Sequence, residues 1–167
     1  MIKLKTPFSE EEIRRLEVGD MILVSGDIYC GRDAVLPQIV KMFQNNLLEK
    51  NGIDLKGAVI FHTAVSPAGV GPTSSNKLEI ESSILPLSEA GVKMHLGKGK
   101  ISESTIEGLA ERNAVYAVIP PVTALLESKT SAREIVACPE LGMEAFHKIT
   151  VTDYPAIIAA ARGKSIY

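Results

Sequence analysis

Three short segments carry the residue types best suited to chemistry. The first is Gly71-Pro-Thr-Ser-Ser-Asn-Lys77, the end of a loop dense in Gly, Pro and Ser that begins near Val65. It follows an expected strand and precedes an expected helix, so the hydroxyls of Thr73 and Ser74 and the free backbone N–H groups near Gly71 would gather at a helix N-terminus, which favours an anion. The GxxxxGK[ST] spacing of a phosphate-cradling loop is absent. An ordinary Gly/Pro loop with serine caps fits the same spacing. The second segment, Gly97-Lys98-Gly99, comes straight after a strand; its glycines would let backbone approach a ligand while Lys98 offers a point charge. The bland reading is a surface turn. In the third, Gly31-Arg32-Asp33, Arg32 could fork onto a carboxylate or form a surface ion pair, and Asp33 is placed to cap the helix that follows.

Together the segments mean more than each alone. Each is a junction at which α/β folds place ligands. Arg32, Lys77 and Lys98 supply three cations around small hydroxyls, a set suited to a dicarboxylate or a phosphate. The histidines add less: His62 reads as a satisfied core residue, His95 lies in the strand leading to Lys98 and could face the site, and His147 shows no partner. No Ser-His-Asp spacing, His-rich metal motif or carboxylate pair is visible. These residues read as part of an active site rather than all of one.

The elements that must position them can be read coarsely. Ser9-Glu-Glu-Glu12 is a capping box with Phe8 and Ile13 at the staple positions, predicting a helix from Glu10 to about Glu17. Met21 to Val24 reads as a buried strand. Apolar residues at helical spacing predict a helix from near Asp33 to Lys50, with Pro37 in its first turn and Asn51-Gly52 ending it. Further strands are expected over Ala58–Thr63, Val92–Leu96 and Ala114–Ile119. Helices are expected over Lys77–Ala90 (interrupted at Pro86), from Ser102 to Arg112, and through Leu125 and Leu126. The C-terminal third offers strands at Arg133–Ala137, Ala145–Val151 and Ala156–Ala160, with a helical turn near Glu140. Without a strict βαβ rhythm, the pattern predicts a layered α/β or α+β domain over residues 1–167 as a single unit.

Composition narrows the function. A net charge of −2 with 5% aromatics and no Trp argues against a nucleic-acid reader or a binder of anionic membrane. No apolar run is long enough to span a bilayer, and the N-terminus lacks the apolar stretch of a signal peptide. Cys30 and Cys138 form neither a CxxC pair nor a disulfide framework, which suits a reducing cytoplasm. Two cysteines cannot by themselves hold an iron–sulfur cluster.

The same segments resemble a known family: the beta subunit of the iron–sulfur (class I) fumarate hydratases and L-tartrate dehydratases, equivalent to the C-terminal domain of the single-chain enzymes. The resemblance runs through Val18-Gly-Asp20, Ser25-Gly26, Gly31-Arg-Asp33, Asp54-Leu-Lys-Gly57, Gly71-Pro-Thr73 and Gly97-Lys-Gly99. It continues through Glu140-Leu-Gly-Met-Glu-Ala145 and Tyr154-Pro-Ala156 to Gly163-Lys-Ser-Ile-Tyr167. It implies a swivelling β/β/α domain that closes over a larger alpha subunit, whose cysteines hold a [4Fe-4S] cluster with one open iron acting as a Lewis acid. Carried over by motif, Arg32 and Lys98 would grip substrate carboxylates, with Gly71, Ser74 and Lys77 completing the binding surface. Thr73 would assist proton transfer at the carbon beside the carboxylate. No metal ligand is implied in this chain. A hetero-oligomer is implied, with a homodimer of this chain as one arrangement within it.

The chain departs from the family pattern in places. Lys77 stands where Arg is usual, exchanging a bidentate fork for a point charge. Ala34-Val35 replaces the usual Ala-His, Pro120-Pro121 falls where a Gly-Gly-Ala-Ala run is common, and Ala160 occupies a position that often holds a carboxylate. The expected activity is reversible hydration of fumarate to (S)-malate together with the alpha partner. L-tartrate dehydration is its near rival, and a stand-alone, non-catalytic anion-binding domain is the alternative from another class.

Overall fold

Ser9 caps the first helix as its spacing predicts. In the computed structural model, which describes residues 1–66, 77–120 and 123–167 (leaving aside the side chains of 77–80 and 123), helix α1 spans Glu10–Arg14. The Ser9 hydroxyl accepts from the Glu12 amide at 3.1 Å, and Glu12 accepts from the Ser9 amide at 3.0 Å. Phe8 and Ile13 are both buried. A strand absent from the sequence reading, β1 (Ile2–Lys5), precedes this helix and pairs in parallel with the start of β2 (Met21–Gly31).

The middle of the chain corrects the expectation of an irregular order. From β2 onward it alternates through α2 (Leu36–Gln44), β3 (Val59–His62), α3 (Lys77–Glu89), β4 (Met94–Gly97) and α4 (Glu103–Glu111) to β5 (Val115–Val118). Strands β2 to β5 lie side by side in that order and all run parallel. Crossovers of one hand in a monotonic strand order put every helix on the same face. Accordingly α3 packs against both α2 and α4. Helix α3 runs through Pro86 rather than stopping there.

The remaining strands close the other side. After α5 (Thr123–Ser128) come β6 (Thr130–Ala137), a 3-10 turn over Pro139–Glu144, the 16-residue β7 (Phe146–Ala161) and β8 (Lys164–Ser165). The two C-terminal strands expected over 145–151 and 156–160 are one. Strand β7 lies antiparallel to β2 along most of its length and antiparallel to β5 near its end, so β2, β3, β4, β5 and β7 form a closed circuit of pairings. Strand β2 runs seven residues past Val24 because a register shift between Val24 and Gly26 absorbs the kink without ending the ladder. Gly26 has φ +106°, and a Cβ there would collide with the Thr6 hydroxyl. On β7, Asp153 takes φ 52° and donates its amide to the Ser25 hydroxyl at 2.9 Å.

Period-two alternation divides the core. Val59, Phe61, Met94, Leu96, Val115 and Ala117 face the interior with Tyr154, Ile149 and Ile28. Their neighbours Ile60 and Tyr116 face the helices, Ile60 with Leu36, Ile39 and Leu87, and Tyr116 with Ile84, Ile106 and Leu109. The architecture is therefore mixed α/β and layered, with a helical layer on a sheet whose other face is closed by further strands. Among the described residues no helix is long and apolar enough to cross a membrane.

Candidate functional site

Parallel strands bring their C-terminal ends to one edge. Gly31 of β2 pairs with His62 of β3, Phe61 with Leu96, and Gly97 of β4 with Val118 of β5, so the four strands finish nearly flush. The residues that leave this edge are Arg32, Thr63, Lys98 and Ile119. Two of the cations expected from sequence thus occupy one edge, separated by β3.

Arg32 already holds a carboxylate of its own chain. Its Nε donates to Glu144 at 2.8 and 3.1 Å to the two oxygens, and its Nη2 lies 2.7 Å from Oε1. This forked geometry is the one a substrate carboxylate would require. Glu144 closes the 3-10 turn that follows Cys138, whose φ is 55°. Both side chains are about a quarter exposed, so the pair is half-buried rather than the plain surface contact that spacing alone suggests.

Asp33 does not cap α2. The carbonyl of Arg32 accepts from the amides of Val35 and Leu36 at 3.1 and 2.9 Å, forming a turn that delays the helix to Leu36. Val35 stands at the N-cap with no side-chain hydrogen bond, and Pro37 falls in the first turn as expected. One Asp33 oxygen, Oδ1, is left buried without a hydrogen-bond partner among the described residues. Gly31 serves packing rather than ligand approach, since a Cβ there would meet Val35 at 2.8 Å and Phe146 at 3.1 Å.

Lys98 is exposed on a turn that the fold holds firmly. Tyr116 Oη donates to the Gly99 carbonyl at 3.1 Å, and the Ile119 amide donates to the Gly97 carbonyl at 3.0 Å. Gly99 has φ +83°, a conformation glycine adopts without strain. A Cβ on Gly97 would lie 3.2 Å from the Tyr116 hydroxyl. Burial raises the Tyr116 phenol above its ordinary range, so it remains a neutral donor.

Lys77 is the first residue of α3, with its side chain outside the described residues. Gly71, Thr73 and Ser74 also lie outside them. The root of that loop is described: the Val65 amide donates to the Met143 carbonyl at 3.0 Å, and Arg133 Nη1 donates to the Ser66 carbonyl at 3.0 Å. Arg133, itself ion-paired with Glu127, and Glu144 are the site-edge residues that sequence reasoning missed. Glu144 lies inside the motif 140–145, which could have marked it. Arg133 lies 67 positions from Ser66 and carries no local signal.

The histidines form a buried chain. His62 Nε2 lies 2.9 Å from His95 Nδ1, and His95 Nε2 lies 2.9 Å from Ser88 Oγ on the last turn of α3. Burial lowers His62 to about 4, and burial together with the neighbouring His62 holds His95 well below the ordinary histidine value. His95 is wholly buried and does not face solvent. His62 is not the fully satisfied core residue expected, because its Nδ1 has no partner among the described residues. His147, expected to lack a partner, donates from Nδ1 to the Ala145 carbonyl at 2.9 Å.

The donor set does not fit an iron–sulfur cluster. Cys30 is buried, with its thiol pushed up by desolvation, and Cys138 is the only other cysteine. Cluster ligation takes more thiolates than this. Among the described residues no group of three or more His, Cys, Asp or Glu side chains could hold a metal ion.

Fold and edge together define an α/β domain whose parallel strands end in a cation-bearing rim. The family described as "Fumarase C-terminus" matches residues 1–167, and the chain belongs to that family. It is 30% identical over 152 residues to the L(+)-tartrate dehydratase subunit beta of Escherichia coli strain K12, covering 84% of this chain and 72% of that one. It is 26% identical over 178 residues to fumarate hydratase 2 of Leishmania major, covering 99% of this chain and 31% of that protein. A relative from Geobacillus stearothermophilus, provisionally named a class I fumarate hydratase, is 28% identical over 181 residues. The chain spans 34% of that relative's length.

Proposed function

We propose that the chain is the beta subunit of a hydro-lyase acting on a small dicarboxylate, reversibly hydrating fumarate to (S)-malate with an alpha subunit that carries the [4Fe-4S] cluster. The observation that supports this most is the shared strand-end edge, which gathers Arg32, Lys98 and the root of the Thr73 loop in a chain of the fumarase C-terminus family. In this reading Arg32 and Lys98 bind the carboxylates, with Gly71, Ser74 and Lys77 beside them, and Thr73 assists proton transfer at the adjacent carbon. The swivelling movement of such a domain would bring the edge onto the partner's cluster. The cysteine count of this chain suits a cluster held elsewhere and a reducing cytoplasm.

A partner also suits the surface. An almost wholly apolar cleft of about 270 Å3 opens beside Ile119 and Pro120 at the end of β5, lined also by Met21, Pro155 and Ile157. Met21 is 51% exposed there, and Met143 at the loop root is 52% exposed. Apolar surface of this kind beside a site is where a partner subunit would sit.

One observation favours tartrate as substrate. The relatives that this chain covers over most of their length, at 72% and 87%, carry tartrate dehydratase subunit beta in their names, whereas the fumarate hydratases are covered over about a third. Turnover of fumarate, malate and L-tartrate by the chain co-purified anaerobically with its partner separates the two. Thr73→Val should lower turnover of the true substrate by roughly 10²–10⁴-fold while leaving thermal unfolding unchanged. Ordinary activity in that variant would remove Thr73 from the chemistry, and a stable monomer with no cluster-bearing partner would favour the stand-alone binding domain.

A further inference from the structure

A buried hydrogen-bond chain ends at the site edge with one group unmet. Its directions can be worked out from its far end. The Ser88 hydroxyl donates its only proton to the Ile84 carbonyl at 2.8 Å, since a carbonyl can only accept. Ser88 Oγ must therefore accept from His95 Nε2–H at 2.9 Å. A neutral imidazole with its proton on Nε2 presents a bare Nδ1, so His95 Nδ1 accepts from His62 Nε2–H at 2.9 Å. His62 Nδ1 is then left as a lone pair. It is buried, and no hydrogen-bond donor among the described residues reaches it.

The position of that lone pair matters. His62 is the last residue of β3, and its register neighbours are Gly31, just before Arg32, and the end of β4, just before Lys98. The chain thus rises from the last turn of α3 to the rim between the two cations. A second acceptor on this rim, Asp33 Oδ1, is likewise buried without a donor among the described residues. An acceptor sealed from water and left unmet costs about 1–3 kcal/mol, so native proteins rarely keep one without a use.

We propose that His62 is an acceptor of the site, its Nδ1 locked in place by His95 and Ser88 to take a hydrogen bond from the O–H of the bound hydroxy acid. The inference rests on the hydro-lyase reading for the identity of the ligand. It makes His62 this chain's own means of telling a hydroxylated dicarboxylate from one without the hydroxyl. The carboxylates are left to the cations, which cannot make that distinction.

Two substitutions separate the two ring nitrogens. Asparagine places a carbonyl oxygen close to where Nδ1 stood, while glutamine places an N–H close to where Nε2 stood. Binding of malate, L-tartrate and succinate to the co-purified complex is measured by calorimetry for the wild type, His62→Asn and His62→Gln. His62→Gln should weaken the hydroxy acids about ten-fold and leave succinate unchanged, and His62→Asn should stay within about three-fold of wild type for all three. Equal losses for succinate, or hydroxy-acid binding unchanged in His62→Gln, would overturn the proposal; the second result would mean that an internal water alone meets the nitrogen. Long-range 1H–15N spectra of the wild-type chain should show both imidazoles protonated on Nε2, and a proton on His62 Nδ1 would also overturn it. Binding with no turnover of any acid would sink the hydro-lyase reading while leaving the His62 result standing.

Discussion

The two ends of the parallel strands solve the same problem differently. Where the strands begin, polar groups pair with one another. Lys93 Nζ reaches Glu10 at 2.7 Å and the Arg112 carbonyl at 3.0 Å, Asn113 donates to both the backbone and the carboxylate of Glu10, and Arg112 pairs with Glu89 at 2.7 Å. The hydrogen bond from Lys93, then that from Asn113, holds the Glu10 carboxyl below its ordinary range. Among the described residues, only Arg112 Nε is buried there without a partner. Where the strands end, Arg32 and Glu144 pair, but Asp33 Oδ1 and His62 Nδ1 stay buried and unmet among the described residues. Glu127 Oε2, on the carboxylate paired with Arg133, is unmet as well, so the unmet groups on this side are acceptors, whereas the exception at the other end is a donor. A structural end saturates its own hydrogen bonds; an end that keeps buried acceptors open departs from local consistency in the manner of a functional site.

Breaking the rim should therefore cost activity first. Arg32→Met removes the forked donor and should lower kcat/KM by roughly 10²–10³-fold, since loss of one member of a hydrogen-bonded charge contact costs several kcal/mol. Steady-state kinetics on the assembled enzyme checks this. A change confined to stability would instead make Arg32 the structural partner of Glu144 and nothing more.

The buried histidines should make the rim sensitive to acid. In the unfolded chain a histidine titrates near 6.5, whereas His62 in the fold is lowered to about 4. Between those values the unfolded state binds more protons, so acid favours unfolding. The stabilising contribution is complete above about pH 6.5 and is lost as pH falls toward 4, by roughly 3 kcal/mol across the window. His95 is coupled to it, so the pair acts as one unit. Urea midpoints from pH 4 to pH 7 should show this slope, and His62→Gln should flatten it.

The two ends also differ in how much the sequence reveals. The far end rests on local signals, and these were legible: the capping box at Ser9 and the staple of Phe8 with Ile13 are both present. The cations of the rim were legible too, because Gly31-Arg-Asp33 and Gly97-Lys-Gly99 mark strand ends. What Arg32 and Asp33 do there was not. Glu144 comes to Arg32 from 112 positions away, and a backbone turn at Arg32 displaces Asp33 from the helix cap. The length of β2 was hidden by Ser25-Gly26, which reads as a turn but forms a register shift within a continuous ladder. The histidine chain joins residues 33 positions apart on adjacent strands, a relation that follows only from register.

Changes at the far end should cost stability and spare activity. Asn113 adopts φ 51°, a region that alanine enters only with strain, and its side chain makes two hydrogen bonds to Glu10. Asn113→Ala should lower stability by about 1–2 kcal/mol with turnover unchanged. Denaturant unfolding and kinetics on the same preparation test both halves of that expectation.

Ser9→Ala should give the smallest effect and the sharpest test of independence. It removes the acceptor for the Glu12 amide, so one donor of the first turn loses its cap, a loss of about 1 kcal/mol. The helix should persist, because Phe8 and Ile13 remain buried and the Phe8 amide still donates to the Gly57 carbonyl at 2.8 Å. The urea midpoint should therefore fall while the slope of the transition stays the same, the pattern of a stability change without a change in compactness. Turnover should match wild type, since α1 packs at the end of the strands away from Arg32, His62 and Lys98. A loss of activity in Ser9→Ala would mean that the saturated end transmits strain through β2 and β3 to the rim, and that the two ends do not divide structure from function.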